Sequence, residues 1–315
     1  MESDTILLSG SSLTKDLLNE ATKLRHYPYS LIESFPLSLL RAKLVSDIKG
    51  GNITIARDFP SSILAIASFP SFDRMVLGVN VCRARATPLT SIVPLSDVKD
   101  MVESFREREG GLLILRTSID NTCFIQRLER VGFILTDVLM HLYIKSENLR
   151  DKVKVGAQKI GQDNYEVREA RSSDQERLVE LSKRTYLTSH FYNSPYINKS
   201  TADRIYELWI RNSLRKHDSH VYVLDYKGQV CGYVVLRTLR IENYKYGVID
   251  LIALAPEFRG RGLGVYMLKH ALRNHLRLDS IFVGTQANNI AALNLYTKLG
   301  FKLLASEVTM HYKIK

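Results

Sequence analysis

The chain has 315 residues, 45% of them hydrophobic, more than a single core usually organises, so two domains are the default expectation. Forty-four Lys and Arg against 33 Asp and Glu give a formal charge of +11, which suits a nucleic-acid surface, an anionic membrane surface or small anionic molecules; the scatter of the basic residues argues against the first, and composition does not choose between the others. Cys82, Cys123 and Cys231 are too dispersed for a disulfide framework or a zinc cluster, and no run is long and apolar enough to span a bilayer; a soluble, cytoplasmic protein without a bound metal is expected.

The first twenty residues mix Asp4, Lys15, Asp16 and Glu20 with short apolar runs, unlike a secretory leader. Residues 77–81 then predict a strand, residues 101–108 a helix, and residues 112–115 a second strand after Gly110 and Gly111. A helix closing at Gly132 and Phe133 ends this half. The polar stretch 147–163 reads as a connection, which divides the chain into domains at 1–150 and 164–315, joined by a linker at 151–163.

Past the connection, a strand leads to Ser172 and Ser173, either of which can form a capping box with Gln175 or Glu176 for a helix carrying Leu178, Val179 and Leu181. Ser200 and Asp203 open the next helix, whose apolar face holds Ile205, Leu208, Ile210 and Leu214, with Trp209 read as core. Strands at 221–224 and 230–236 form a hairpin about the turn 225–228. A strand at 247–255 stops at Pro256, a helix starts near Gly262, and a strand at 280–285 and a helix at 288–298 follow. Residues 301–313 make one or two closing strands. The order is mixed α/β.

The first half carries a faded copy of this ending. Thr117, Asn121, Gly132 and Phe133 parallel Thr285, Asn289, Gly300 and Phe301, and His141 parallels His311. Duplication of a strand-helix-strand unit accounts for this, with plain βαβ periodicity as the other account. The two histidines read as strand residues, since no ligand set surrounds them. The first copy has Leu128 in place of Tyr296 and no arginine-glycine loop, so it is expected to frame a site rather than to catalyse.

The chemistry concentrates in Glu257-Phe-Arg-Gly-Arg-Gly-Leu-Gly264, between a strand and a helix. Such a junction offers unpaired amides and the positive end of a helix dipole to an anion such as pyrophosphate, although glycines also serve tight turns with no ligand. A Walker A loop would need Lys and Ser or Thr after Gly264, where Val265 and Tyr266 stand. A dinucleotide fingerprint would need an acid at a strand end about twenty residues on, whereas Asp279 precedes its strand.

Leu254-Ala-Pro256, Arg259-Gly-Arg-Gly-Leu-Gly264, Asn289-Ile-Ala291, Tyr296, Gly300 and Phe301 together resemble the GCN5-related N-acetyltransferase (GNAT) superfamily. Within it, Phe191-Tyr-Asn193, Arg204, Trp209-Ile-Arg-Asn212, Gly232-Tyr-Val-Val-Leu-Arg237 and Thr285-Gln-Ala-Asn-Asn289 look like the dTDP-4-amino-4,6-dideoxygalactose (dTDP-fucosamine) N-acetyltransferases of bacterial surface polysaccharide synthesis. The resemblance implies a GNAT fold in the C-terminal half, with a central mixed sheet splayed at the acyl-CoA site, preceded by a smaller degenerate GNAT-like domain.

It further implies that acetyl-CoA is the co-substrate, with pantetheine paired to the backbone near Ile252 and Leu254. Pyrophosphate would rest on the loop of Arg259, Gly260, Arg261, Gly262, Leu263, Gly264 and Val265. Asn289 would position the pantetheine arm, and Tyr296 would protonate the departing thiolate, with aromatic packing as the alternative role for Tyr296. Asp250, His190 and Glu307 are the residues that could accept the amine proton. Tyr192, Asn193, Arg204, Trp209 and Arg237 are carried over as acceptor-side residues, and Cys231 is read as structural because no base accompanies it. The expected partner is a nucleotide-linked amino sugar, with a protein or small amine as the alternative acceptor and a non-catalytic acyl-CoA sensor as the alternative outside enzymes. A homodimer is compatible with this reading.

Overall fold

The computed structural model of the chain describes residues 62–106, 111–154, 164–241 and 243–314, together with Lys23 and a short strand at 54–56. Asp4, Lys15, Asp16 and Glu20 of the leader reading, Gly110, and residues 155–163 of the expected connection lie outside the described residues.

In chain order the elements are β1 Thr54–Ala56, β2 Ile63–Ser68, α1 Ser71–Leu77, β3 Asn80–Pro88, α2 Leu95–Arg106, β4 Gly111–Ser118, α3 Thr122–Val131, β5 Ile134–Lys145 and α4 Ser146–Lys154. They continue as β6 Tyr165–Glu169, α5 Gln175–Ser182, α6 His190–Asn193, α7 Lys199–Ser213, β7 Ser219–Tyr226, β8 Gln229–Ile241 and β9 Tyr244–Leu254. The last are α8 Leu263–Arg273, β10 Ser280–Gln286, α9 Ile290–Lys298 and β11 Lys302–Lys313.

Several local expectations change. Residues 77–81 do not form one strand: Leu77 ends α1, Gly78 caps it in the left-handed region at φ 68°, and the strand begins at Asn80. Helix α2 starts at Leu95, ahead of the expected 101, because Val98, Met101, Val102 and Phe105 make one buried face. The start of the polar connection is helical, since Leu149 and Val153 of α4 sit one turn apart and both are buried. Residues 301–313 resolve to a single strand, β11.

The chain packs as two compact units. The first comprises Met1–Leu139, Ser189–Asn198 and Ala305–Lys315, the second Met140–Thr188 and Lys199–Leu304. In the first, strands run in the order β1-β2-β3-β4-β11. β2 is antiparallel to both neighbours and β3 is parallel to β4. β11 lies antiparallel on β4 from Glu307↔Ser118 to Lys313↔Leu112. Its core joins Val98, Met101 and Phe105 of α2, Phe124 and Leu128 of α3, and Leu113, Leu115, Val308 and Met310 of the sheet. Each such side chain contributes roughly 1.5–3 kcal/mol by leaving water.

The second unit orders its strands β10-β9-β8-β7-β6, antiparallel except for β10 on β9. The hairpin β7-β8 turns on Lys227 and Gly228, at φ 53° and 85°, the two positive values that match the twist of the flanking strands. Arg168 ties β6 to its surroundings: its guanidinium donates to Asp174 at 2.7 and 3.1 Å and to Asp225 at 2.9 Å. Asp174 also accepts the Arg171 amide at 2.7 Å. That bond displaces the serine capping boxes expected at Ser172 and Ser173, which instead form a 3-10 turn before α5.

Arg168, followed by the Arg171 amide, holds the Asp174 carboxyl below the usual carboxylate range. A depressed folded-state value means that this stabilisation is present above the ordinary carboxylate pKa and is lost as pH falls through the folded value. Asp174→Asn is expected to cost about 2 kcal/mol at pH 7, because Arg168 loses its bidentate partner. Urea denaturation from pH 7 to pH 3 should show the gap between wild type and variant closing toward the acid end.

Candidate functional site

Strand β9 leaves the sheet at Leu254, passes through a 3-10 turn at Pro256–Phe258 and enters α8 through the arginine-glycine loop. Proline opens the turn because it has no amide to pair in the ladder. Gly260 and Gly262 both take φ 76°, a left-handed conformation that other side chains resist. Gly264 is needed for a different reason: a Cβ there would lie 2.6 Å from Leu295 Cδ1, so its smallness lets α8 approach α9. Tyr266 makes the first intrahelical bond of α8, to the Gly262 carbonyl at 3.1 Å, so the amides of Leu263, Gly264 and Val265 come before the helical ladder.

Neither loop arginine stands in isolation. Arg259 Nε donates to the Leu254 carbonyl at 2.9 Å and thereby ties the loop to the strand end. The Arg261 guanidinium lies 5.9 Å from the Phe258 ring centroid.

The register of β9 defines its free edge. Its parallel pairing with β10 runs from Tyr246↔Ser280 to Ile249↔Val283, whereas β9 continues to Leu254 and β10 to Gln286. On its other side β9 stays paired with β8, with Ile252 opposite Val234 and Leu254 opposite Gly232. Asp250, Ile252 and Leu254 are half-buried while Leu251 and Ala253 are buried, the alternation expected of a strand. The β8 ladder steps from Leu251 to Ile249, which leaves Asp250 as the extra residue of a bulge. Both Asp250 oxygens accept from Arg237, at 2.8 and 2.9 Å. Arg237, carried over as an acceptor-side residue, is thus the ion-pair partner of Asp250.

Asn289 caps α9: its side-chain oxygen accepts the Ala292 amide at 3.3 Å. The helix therefore starts at Ile290, later than the expected 288. Two turns on, Tyr296 is buried and packs on Phe301 at 5.5 Å between centroids. Among the described residues the Tyr296 hydroxyl has no hydrogen-bond partner. Burial raises its pKa above the ordinary tyrosine value, so the group stays protonated.

Sequence reasoning missed a tyrosine pair in this unit. The hydroxyls of Tyr186 and Tyr233 are 2.8 Å apart, and Tyr186 stacks on Tyr206, which in turn stacks on Trp209. The available signal was a tyrosine within the otherwise aliphatic run 230–236, since a hydroxyl in a core strand needs a partner. Trp209 is half-buried at the end of that stack rather than enclosed. Arg204 is exposed and pairs with Glu207 at 3.5 Å. Cys231 is fully buried with its thiol pushed up to about 11, chiefly by burial, which suits a structural cysteine.

The other sequence-derived residues belong to the first unit. Tyr192 is half-buried, and Asn193 donates to the Thr136 carbonyl at 2.9 Å. His190 and Glu307, named with Asp250 as proton acceptors, are both buried there. Arg85 donates to Glu307 at 2.7 Å. His190 Nδ1 lies 2.9 Å from His311 Nε2. Among the described residues, no group of His, Cys, Asp and Glu is arranged to hold a metal ion, and no helix is long and apolar enough to cross a membrane.

A glycine loop opening a helix, a strand whose parallel pairing ends early and a buried tyrosine one helix further on form a recognisable set. Residues 179–301, which contain all three, match the Acetyltransferase (GNAT) family. The fold is that of a GNAT-superfamily acetyltransferase. The spore coat polysaccharide biosynthesis protein SpsD of Bacillus subtilis is 26% identical over 139 residues, which cover 44% of this chain and 47% of SpsD. The match thus spans about half the length of that relative. An N-alpha-acetyltransferase of Sulfurisphaera tokodaii is 24% identical over 159 residues, covering 47% of this chain and 85% of its own. The GNAT likeness extends to solved structures. A GCN5-related N-acetyltransferase from Kribbella flavida aligns with a TM-score of 0.53 at 13% identity, over 86% of this chain and 94% of that one. At that identity the likeness is one of fold alone.

Proposed function

We propose that the second unit transfers the acetyl group of acetyl-CoA to the 4-amino group of a dTDP-linked 6-deoxyhexose. The observation that carries transfer, rather than coenzyme binding alone, is Tyr296: a buried phenol, kept protonated, whose hydroxyl has no partner among the described residues. Pyrophosphate rests on the amides from Arg261 to Val265 at the start of α8. Pantetheine lies along β9 beyond the last β10 pair, against the backbone of Ile252 and Leu254; the early end of that parallel ladder supports a splayed sheet. Asn289 holds the start of α9 and so the direction in which Tyr296 faces.

The neutral amine attacks the thioester carbonyl, the C–S bond breaks as the tetrahedral intermediate collapses, and the thiolate takes the Tyr296 proton. No covalent enzyme intermediate is needed. Asp250 is the carboxylate on the coenzyme strand, and with both oxygens held by Arg237 it takes up the amine proton through water rather than directly.

The sugar acceptor rests on the resemblance around Phe191, Trp209 and Arg237, on the net positive charge, and on the similarity to a polysaccharide biosynthesis protein of Bacillus. The Sulfurisphaera relative favours a second reading, a protein α-amine as acceptor. The first unit is read as a degenerate copy of the second. Asn121 precedes α3 as Asn289 precedes α9, and Gly132 and Gly300 both take positive φ after those helices, which supports this account. Leu128, fully buried, takes the place of Tyr296.

Mass spectrometry of the protein with acetyl-CoA and a panel of dTDP- and UDP-amino sugars, peptides and simple amines tests the reading. One acetyl group gained only by dTDP-4-amino-6-deoxyhexoses is the expected result. Acetylated peptides without sugar products would replace the acceptor while sparing the chemistry, and coenzyme binding with no product from any amine would favour a sensor.

A further inference from the structure

The first unit contains a cavity of about 190 Å³ whose polar wall is Arg83, Arg85, Arg116, Ser68 and His190. Nothing in the proposed acyl transfer uses it. The strand pattern puts these cations there: Arg83 and Arg85 alternate with the buried Ala84 on β3, and the parallel register sets Arg85 beside Arg116 on β4.

The three guanidinium groups differ in their partners. Asp73 holds Arg83 through two bonds, one of them 2.7 Å, and Glu307 holds Arg85 at 2.7 Å. Arg116 donates its Nε to the Thr309 hydroxyl at 3.2 Å and, among the described residues, has no carboxylate in hydrogen-bond contact. Glu307 and Asp137 act on it only through space. A half-buried guanidinium keeps its charge in proteins, so two of its nitrogens are left to find an acceptor within the cavity.

A histidine chain adds a donor. The Ser194 hydroxyl oxygen accepts the Tyr196 amide at 3.2 Å and lies 2.8 Å from His311 Nδ1. His311 Nε2 lies 2.9 Å from His190 Nδ1; in the tautomer in which Ser194 donates to His311 and His311 to His190, the proton of neutral His190 resides on Nε2, which has no protein partner among the described residues. Burial keeps both imidazoles neutral, with His311 lowered to about 3.

We propose that this cavity binds a small oxyanion, a phosphate or carboxylate group, through Arg116 and the His190 Nε2–H, with Arg83 and Arg85 at its rim. The planar fork of arginine fits both oxyanions, and an anion at Arg116 would offset the cost of its partial burial. The volume falls below the roughly 300 Å³ at which pockets for drug-sized ligands begin, so it suits a headgroup or a small metabolite rather than a whole nucleotide.

Titration calorimetry of the full chain with inorganic phosphate and, separately, with acetate tests the site. Saturable binding of at least one ion is expected, weakened at least tenfold by Arg116→Gln while the affinity for acetyl-CoA is unchanged. The preferred ion distinguishes a phosphate ligand from a carboxylate. A second measurement needs no variant: phenylglyoxal modifies exposed arginines, and peptide mapping of the wild type should show Arg116 protected by the bound ion. No binding of either ion, equal binding by Arg116→Gln, or modification of Arg116 indifferent to both ions would overturn the proposal.

Discussion

Tyr296→Phe is expected to lower kcat by about 100-fold, within the usual contribution of a positioned general acid, with little change in the Kd for acetyl-CoA. Phenylalanine keeps the ring that packs on Phe301 and removes only the hydroxyl. That hydroxyl has no protein partner among the described residues, so its loss orphans no buried group and stability should shift by less than about 0.5 kcal/mol. The combination of large kinetic loss, intact binding and intact stability would be hard to produce by disturbed packing. Steady-state kinetics with a folded variant decides it, and an unchanged kcat would return Tyr296 to a packing role. Because burial raises the phenol above its ordinary value, any fall in kcat between pH 7 and about 9 must come from another group.

Arg237→Ala is expected to carry the largest stability effect, about 3 kcal/mol. It strands the Asp250 carboxylate, whose side chain is only 10% exposed. Asp250→Asn alone should cost less, and the double variant Arg237→Ala with Asp250→Asn should recover part of the loss, because the uncompensated charge is gone. Urea denaturation of the four proteins gives the coupling. Additive losses would mean that the two residues act separately, and Arg237 would then regain its standing as an acceptor contact.

What the sequence revealed was local. The glycine loop, the hairpin at Lys227 and Gly228, and the order of strands and helices after residue 164 could be read because each follows from neighbours within a few positions. Even the half-buried face of Asp250, Ile252 and Leu254 follows from alternation.

The rest depends on partners far away in the chain. Glu307 meets Arg85 across 222 positions, and nothing near either residue announces the other. The Tyr186 and Tyr233 pair and the arginine-lined cavity share this origin. For the cavity, however, one signal is visible in the sequence: two arginines on the same side of a strand whose alternate residues, Ala84 and Ala86, are core. The serine capping boxes fail to form for the opposite reason. Asp174 lay close enough, but its dominant partner Arg168 belongs to a strand whose role appears only after folding.

The placement of β11 bears on how the protein is made. Strand β4 has β3 on one side and β11 on the other, so half of its backbone hydrogen bonds in the sheet are supplied by residues 307–313. A ribosome delivers β4 some 190 residues before it delivers that partner; at about 5–20 residues per second, the edge waits roughly ten seconds or more with exposed amides and carbonyls. During that interval the nascent first unit offers a template for any extended chain nearby. Chaperone demand should therefore peak late in translation, and premature termination before Ala305 should yield aggregates rather than a smaller folded protein.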